Sequence, residues 1–172
     1  MERPKYAFLM IDYDTPQLIS DLHRTIREEE LYTDDESPDD YGLERETHVT
    51  LVACLPNNVD VELIKSFLHP LYEYPILLTN VSVFEQEKYD VLKCDVASEV
   101  LMATNKAICD AIPTFSEYTE YHPHATIAYL KKGVCGKYLK DILIPLVVLQ
   151  PKAFKLSWRD DDDELHVITF DS

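Results

Sequence analysis

The 172-residue sequence has no uninterrupted apolar run of the length that crosses a bilayer. Its first residues, MERPKYAFLMIDYD, lack the basic start, long apolar stretch and small-residue cleavage site of a secretory signal. A cytoplasmic protein with no membrane partner is expected. The four cysteines, Cys54, Cys94, Cys109 and Cys135, form no CxxC pair and have no histidine at zinc-finger spacing, so reduced structural thiols are expected and no metal is called for. Short-period repeats, heptad arrays and low-complexity tracts are also missing. Positive charge is scarce, with 16 Lys and Arg against 32 Asp and Glu and a formal net charge of -16. Long nucleic acid is held by cations on its phosphates, so this composition excludes it as an expected partner. A small phosphorylated ligand stays compatible, because a few local cations and backbone amides can hold it. The length predicts one domain over residues 1–172 and leaves the oligomeric state open.

Along the chain, Tyr6 to Asp12 reads as a buried strand, and Pro16 to about Glu30 reads as a helix with Leu18, Ile19, Leu22 and Ile26 at helical spacing. Thr15 is placed to cap that helix, with Pro16 at its first position. Residues 28–46 turn acidic and poor in aliphatics, which predicts a solvated loop; its position just before His48 also suits a flap. THVTLVAC reads as strand, Val59 to Leu68 as helix, and PILLTNVSVFE and YDVLKCDVA as a strand pair joined by QEK. Ser98 and Glu99 open a helix that Pro113 ends, and HPHATIAYL is another strand. The apolar stretch ILIPLVVL follows, then the hairpin pair FKLSW and LHVITF around DDDDE. That order argues for an α+β fold with a substantial antiparallel share.

THVTLVACL and PHATIAYLK share the form His, apolar, Thr, apolar, and their histidines are 124 − 48 = 76 residues apart, which points to two related halves. Strand side chains alternate between faces, so His48 and Thr50 point one way while Val49 and Leu51 point the other. The same holds for His124 and Thr126 against Ala125 and Ile127. Phosphodiester cleavage without a metal needs a base for the attacking oxygen and an acid for the leaving oxygen. Imidazole serves either role near neutral pH. Threonine hydroxyls can donate hydrogen bonds to the non-bridging oxygens as charge builds there. Either motif alone is weak, being equally a half-buried strand histidine; both together, in matching contexts, point to a paired acid–base site.

HVTL and HATI resemble the signature of the 2H phosphoesterases, the superfamily of LigT-type RNA ligases and cyclic phosphodiesterases. The contexts GLERETHVTLV and YHPHATIAYLKKG are similar in particular to small phage-encoded members, some of which destroy the cyclic-oligonucleotide signals of bacterial defence such as CBASS. The resemblance implies a bilobal fold of two pseudo-symmetric modules whose antiparallel sheets line a central cleft. It also implies His48 and His124 as acid and base, Thr50 and Thr126 as phosphate-binding groups, no cofactor, and the host cytoplasm as location if the chain is viral. A proline often precedes the histidine in phage members; Pro123 matches and Thr47 does not.

Further candidates for substrate contact are Tyr6, Tyr121 and Trp158 for base stacking, with Phe154 a weaker one, His122 beside the second motif, and the cations Lys131 and Lys132 after it. Tyr129 is expected on the strand face away from His124. The run from Asp160 to Glu164 lacks the glycine and spacing of a calcium loop and reads as a charged hairpin tip. His23, His69 and His166 have no partner motif. The expected activity is cleavage of a small nucleotide messenger, cyclic or 2′,5′-linked. The alternatives are processing of RNA 2′,3′-cyclic phosphates or 2′,5′ ligation, and a non-catalytic sponge for a nucleotide.

Overall fold

The computed structural model of the chain describes residues 6–115, 120–139 and 147–170. Strand β1 (Tyr6–Tyr13) buries Ala7, Leu9, Ile11 and Tyr13 and turns Phe8, Met10 and Asp12 to the opposite face. Helix α1 (Gln17–Thr25) lays Ile19 and Leu22 on the buried face. The expected cap at Thr15 is not formed: Pro16 holds the cap position, and the Thr15 hydroxyl instead accepts a 2.9 Å hydrogen bond from Thr47 Oγ1. The helix also ends earlier than its apolar spacing suggested. Continuing it would set Glu28, Glu29 and Glu30 at the negative end of its dipole. They form a 3-10 turn instead, which buries Glu30 against Lys137 and the Tyr138 hydroxyl. Those two partners hold the Glu30 carboxyl down at about 2.

Strand β2 (His48–Pro56) is followed by α2 (Val61–Leu68), capped by the Asp60 carboxylate on the backbone N–H groups of Glu62 and Leu63. Strands β3 (Ile76–Glu85) and β4 (Tyr89–Ala97) form the hairpin expected around QEK. Ser98 caps α3 (Glu99–Ala111), which leads to β5 (His124–Lys131). Strands β6 (Val147–Leu149), β7 (Pro151–Arg159) and β8 (Leu165–Phe170) complete the described chain. Of the apolar stretch ILIPLVVL, residues 142–146 lie outside the described residues and the rest is β6.

The eight strands form one sheet in the order β6-β3-β4-β5-β2-β1-β7-β8, with every neighbouring pair antiparallel. Its two halves repeat one plan. β1, α1 and β2 correspond to β4, α3 and β5, and β7 lies beside β1 as β3 lies beside β4. The halves meet at the centre through one ladder pair, Val49↔Ala125. Beyond that pair β2 and β5 part, and each carries a bulge at the third residue after its first histidine. Met10↔Thr50 steps to Leu9↔Val52, skipping Leu51, as Lys93↔Thr126 steps to Leu92↔Ala128, skipping Ile127.

A parted strand leaves backbone carbonyls that must find donors. Each is served by the helix of the opposite half. Asn105 of α3 donates to Leu51 O at 2.8 Å, and His23 Nε2 of α1 bonds Ile127 O at 2.9 Å. The acidic segment meets the same need and is therefore not simply the solvated loop its composition suggests. Leu31 bridges to Leu130 and Leu43 to Ala128, while Tyr129 N donates to Gly42 O, a glycine with φ of +89° that a side chain would strain. Packed core residues, from Leu9, Val49 and Leu51 to Leu101, Ile108 and Ile127, lie between the sheet and the helices. No helix among the described residues is long and apolar enough to cross a membrane.

Asn105→Ala should cost about 1–3 kcal/mol by stranding the Leu51 carbonyl. Urea unfolding with an unchanged m-value would report it; a loss under a few tenths of a kcal/mol would show that the carbonyl does not need this donor.

Candidate active site

His48 and Thr50 leave β2 on the face opposite Val49 and Leu51, and His124 and Thr126 leave β5 opposite Ala125. The central pair Val49↔Ala125 fixes their mutual register. Although the strands part on either side of it, that pair makes His48 and Thr126 the flanking residues at one end and Thr50 and His124 those at the other, so the two histidines lie diagonally across it. In an antiparallel pair such diagonal positions lie about 7–8 Å apart, a gap that a phosphate group can bridge.

Both rings are oriented in the same way. His48 Nδ1 lies 3.0 Å from Glu46 O, and His124 Nδ1 lies 2.9 Å from His122 O. A carbonyl only accepts, so Nδ1 carries the proton in each ring, and the neutral form of each presents an unprotonated Nε2. The residues that precede the histidines anchor both strand entries. Tyr13 N donates to Thr47 O at 2.9 Å and Val96 N to Pro123 O at 3.1 Å. Thr47 thus fills the place of the expected proline while also bonding Thr15 through its hydroxyl.

Each half adds a lysine–aspartate pair on the same face. Asp12 stands opposite His48, Lys155 opposite Met10, and their 2.5 Å ion pair closes one side. In the other half Asp95 stands opposite His124 and Lys93 opposite Thr126. Lys93 is 6% exposed, lies 2.6 Å from both Asp95 Oδ1 and Ser82 Oγ, and sits 4.1 Å over the Phe84 ring. Phe84 in turn meets the His124 ring edge to face at 4.9 Å. Burial pushes the His124 pKa below the ordinary histidine value. The Nδ1 bond to His122 O opposes that shift, and the positive charges of Lys93 and His48 add to it.

The other candidates are scattered. Tyr6 shares the cleft face of β1, with Phe115 against its ring at 5.4 Å, and Lys131 is exposed at the end of β5 opposite Tyr89. His122 is exposed beside Glu120, and its carbonyl orients His124. Tyr121, Lys132 and Trp158 are occupied elsewhere. Tyr121 packs on the core and donates to Thr50 O at 2.8 Å, Lys132 ties the β3–β4 hairpin through Asp90 and Gln86 O, and Trp158 stacks on His166 from the opposite face of β7 to Lys155. Phe154 lies in the core. Asp160, Glu164 and His166 bring ligand atoms within 4.8 Å of one another at the β7–β8 turn, at the sheet's edge. Tyr129 departs from its expected face: the bulge at Ile127 turns it, opposite Val91, to the same side as Thr126. Lys93, Asp95, Phe84, Asp12 and Lys155 were not singled out from the sequence. One signal was present, the Lys93 and Asp95 pair at strand spacing inside the apolar YDVLKCDVA.

A continuous antiparallel sheet whose halves each lay a His-x-Thr strand against the other at its centre is the 2H phosphoesterase fold. Residues 15–171 match the 2′-5′ RNA ligase superfamily, and the chain belongs to that family. Among solved structures, Kluyveromyces marxianus Usb1 aligns with a TM-score of 0.54 at 11% identity, over 95% of this chain and 97% of that one. E. coli LigT complexed with 3′-AMP aligns with a TM-score of 0.44 at 16% identity, over 98% and 96% of the two chains. Its ATP complex aligns with a TM-score of 0.47 at 15% identity, over 99% and 96%. No curated protein matches the chain by sequence.

Lys93→Met removes a cation that disfavours the imidazolium and leaves Asp95, which favours it, so the His124 pKa should rise. An NMR titration of the ring Cε1–H resonances would measure this; an unchanged or lowered value would separate Lys93 from His124 electrostatically.

Proposed function

We propose that the protein is a metal-independent phosphodiesterase acting on a small nucleotide messenger, with His48 and His124 as its acid–base pair. The convergence of two like-oriented imidazoles and two threonine hydroxyls around the Val49–Ala125 pair carries this reading. His124, with its lowered pKa, is the ring that stays neutral and takes the proton from the attacking ribose hydroxyl or water. His48 then gives a proton to the leaving oxygen. Thr50 and Thr126 donate to the non-bridging oxygens, and the lysines of the two ion pairs supply positive charge beside them. Ribose attack leaves a 2′,3′-cyclic phosphate; attack by water leaves a phosphomonoester.

The charge distribution supports a small substrate. A chain of net charge -16 repels a long phosphate backbone, whereas beside the histidines Lys93 and Lys155 offset the charges of Asp95 and Asp12, so this face is less acidic than the rest of the chain. The likeness of its motif contexts to phage-encoded phosphoesterases supports a cyclic oligonucleotide of host defence as that substrate, with immune evasion as the role. The family's name favours a second reading, processing or 2′,5′ joining of RNA ends; cleavage of tRNA-like ends in preference to cyclic oligonucleotides would select it.

Incubated in EDTA with cyclic oligonucleotides and 2′,5′-oligoadenylates, the protein should release products by mass spectrometry. His48→Ala and His124→Ala should each lower kcat by roughly 10²–10⁴-fold. Loss of activity in EDTA, or full activity in both variants, contradicts the mechanism. The wild-type kcat/KM profile should be bell-shaped, rising on its acidic side below the ordinary histidine pKa because His124 is the base.

A further inference from the structure

The repeat that pairs the histidines also pairs two aromatic patches. On the cleft face of β5, one strand step beyond Thr126, the bulge presents Tyr129. Tyr89 and, from the acidic segment, Tyr32 and Tyr41 join it, with ring centroids 4.9–5.8 Å apart. Beneath them Val91 is buried on the cleft face, outside the core shared with the helices. On the cleft face of β1, one strand step beyond Met10 and therefore beyond Thr50, lie Phe8 and then Tyr6, with Phe115 against Tyr6. Phe8 is 40% and Phe115 54% exposed, both large apolar rings open on one face of the sheet.

The correspondence is structural in detail. Each patch is completed by the segment that precedes the other half's His-x-Thr strand: Tyr129 N bonds Gly42 O, and Phe115 N bonds Cys54 O. Because β2 and β5 run antiparallel, the patches lie on opposite sides of the central cluster. Phe8 lies two residues from Met10, and Tyr129, three residues from Thr126 across the bulge, lies level with Val91, two residues from Lys93; two residues of strand span about 6.5–7 Å, roughly the reach from a phosphorus through a ribose to its base.

We infer that the site takes a phosphodiester joining two nucleosides, with the base of one stacked on the tyrosine patch at Tyr41 and Tyr129 and the base of the other on Phe8 and Phe115. This rests on the phosphodiesterase reading and names its substrate class as a dinucleotide step, linear or within a ring. It sets a 2′,3′-cyclic mononucleotide, which fills one patch at most, aside as the preferred substrate. Around Tyr129 itself the surroundings suit a base better than a phosphate, the nearest exposed cation being Lys131 at the outer end of the patch, opposite Tyr89. The carboxylates of Glu44 and Asp40 are close enough to Tyr129 to help burial push its hydroxyl up to about 12, and a phosphate there would meet the same negative field. Stacking on aromatic rings suits any base, since each has a π-face.

The test uses the full chain and three probes: a diadenosine monophosphate in the scissile linkage, and the same compound with either adenine replaced by hydrogen. Each abasic probe should lose roughly ten- to hundredfold in kcat/KM, the loss falling mainly on KM because stacking holds ground and transition states alike. Phe115→Ala and Phe8→Ala should weaken the intact probe comparably and leave the probe lacking that base unchanged. Tyr41→Leu, which keeps apolar packing of the segment, should do so for the other base, and Tyr41→Phe should retain full affinity. Equal kcat/KM for intact and abasic probes, or ring variants with unchanged KM, overturns the inference while leaving the phosphodiesterase reading intact. Wild-type protein that cleaves none of the probes and no cyclic oligonucleotide overturns that reading itself.

Discussion

One backbone pair, Val49 with Ala125, holds the two halves of the sheet in register, and the site depends on it. A slip of one residue along either strand would send a histidine and its threonine into the core and bring apolar side chains to the cleft. The register is protected from both sides. Val49 and Ala125 are fully buried, and the strands that part beyond them are tied by Asn105 and His23, each reaching across from the opposite half. His23 therefore has structural work at a bulge, which explains a histidine that no motif accounted for. The exchange of helices between halves also makes each lobe incomplete without the other, so motion that separated the imidazoles would have to break two helix–strand contacts at once.

The electrostatics follow from the same plan with one asymmetry. Both halves place an aspartate opposite the histidine, but the cation stands on the aspartate's own strand in one half, as Lys93 beside Asp95 on β4, and on the next strand outward in the other, as Lys155 on β7 beside Asp12 on β1. Lys93 is the more deeply buried of the two, and its charge adds to the burial that lowers the pKa of the adjacent His124. The surroundings of the two imidazoles are therefore unequal, with Phe84 and the buried Lys93 against His124. The net charge of -16 is carried by a chain whose two lysines nearest the His-x-Thr strands, Lys93 and Lys155, are each paired with an aspartate.

Much of this was legible in the sequence because it rests on local periodicity. The His-x-Thr pairs sit on β-branched runs whose period of two fixes which residues share a face, and Ser98 announces α3. What escaped depends on pairing between distant segments. The bulges at Leu51 and Ile127 leave no local signature, and the second of them reverses the expected face of Tyr129. Lys155 reaches the cleft only because β7 lies beside β1, a partnership that crosses most of the chain. The acidic run looked like a solvated loop by composition, yet the unpaired edge of β5 recruits its Leu31, Leu43 and tyrosines.

The most direct measurement is a crystal structure of the protein with an adenosine 2′,3′-vanadate complex, which mimics the five-coordinate phosphorus. The expected result places Nε2 of His48 and Nε2 of His124 within about 2.6–3.2 Å of the two apical oxygens, on opposite sides of the vanadium. Vanadate bound by one imidazole alone, or held away from both, would contradict a shared acid–base site.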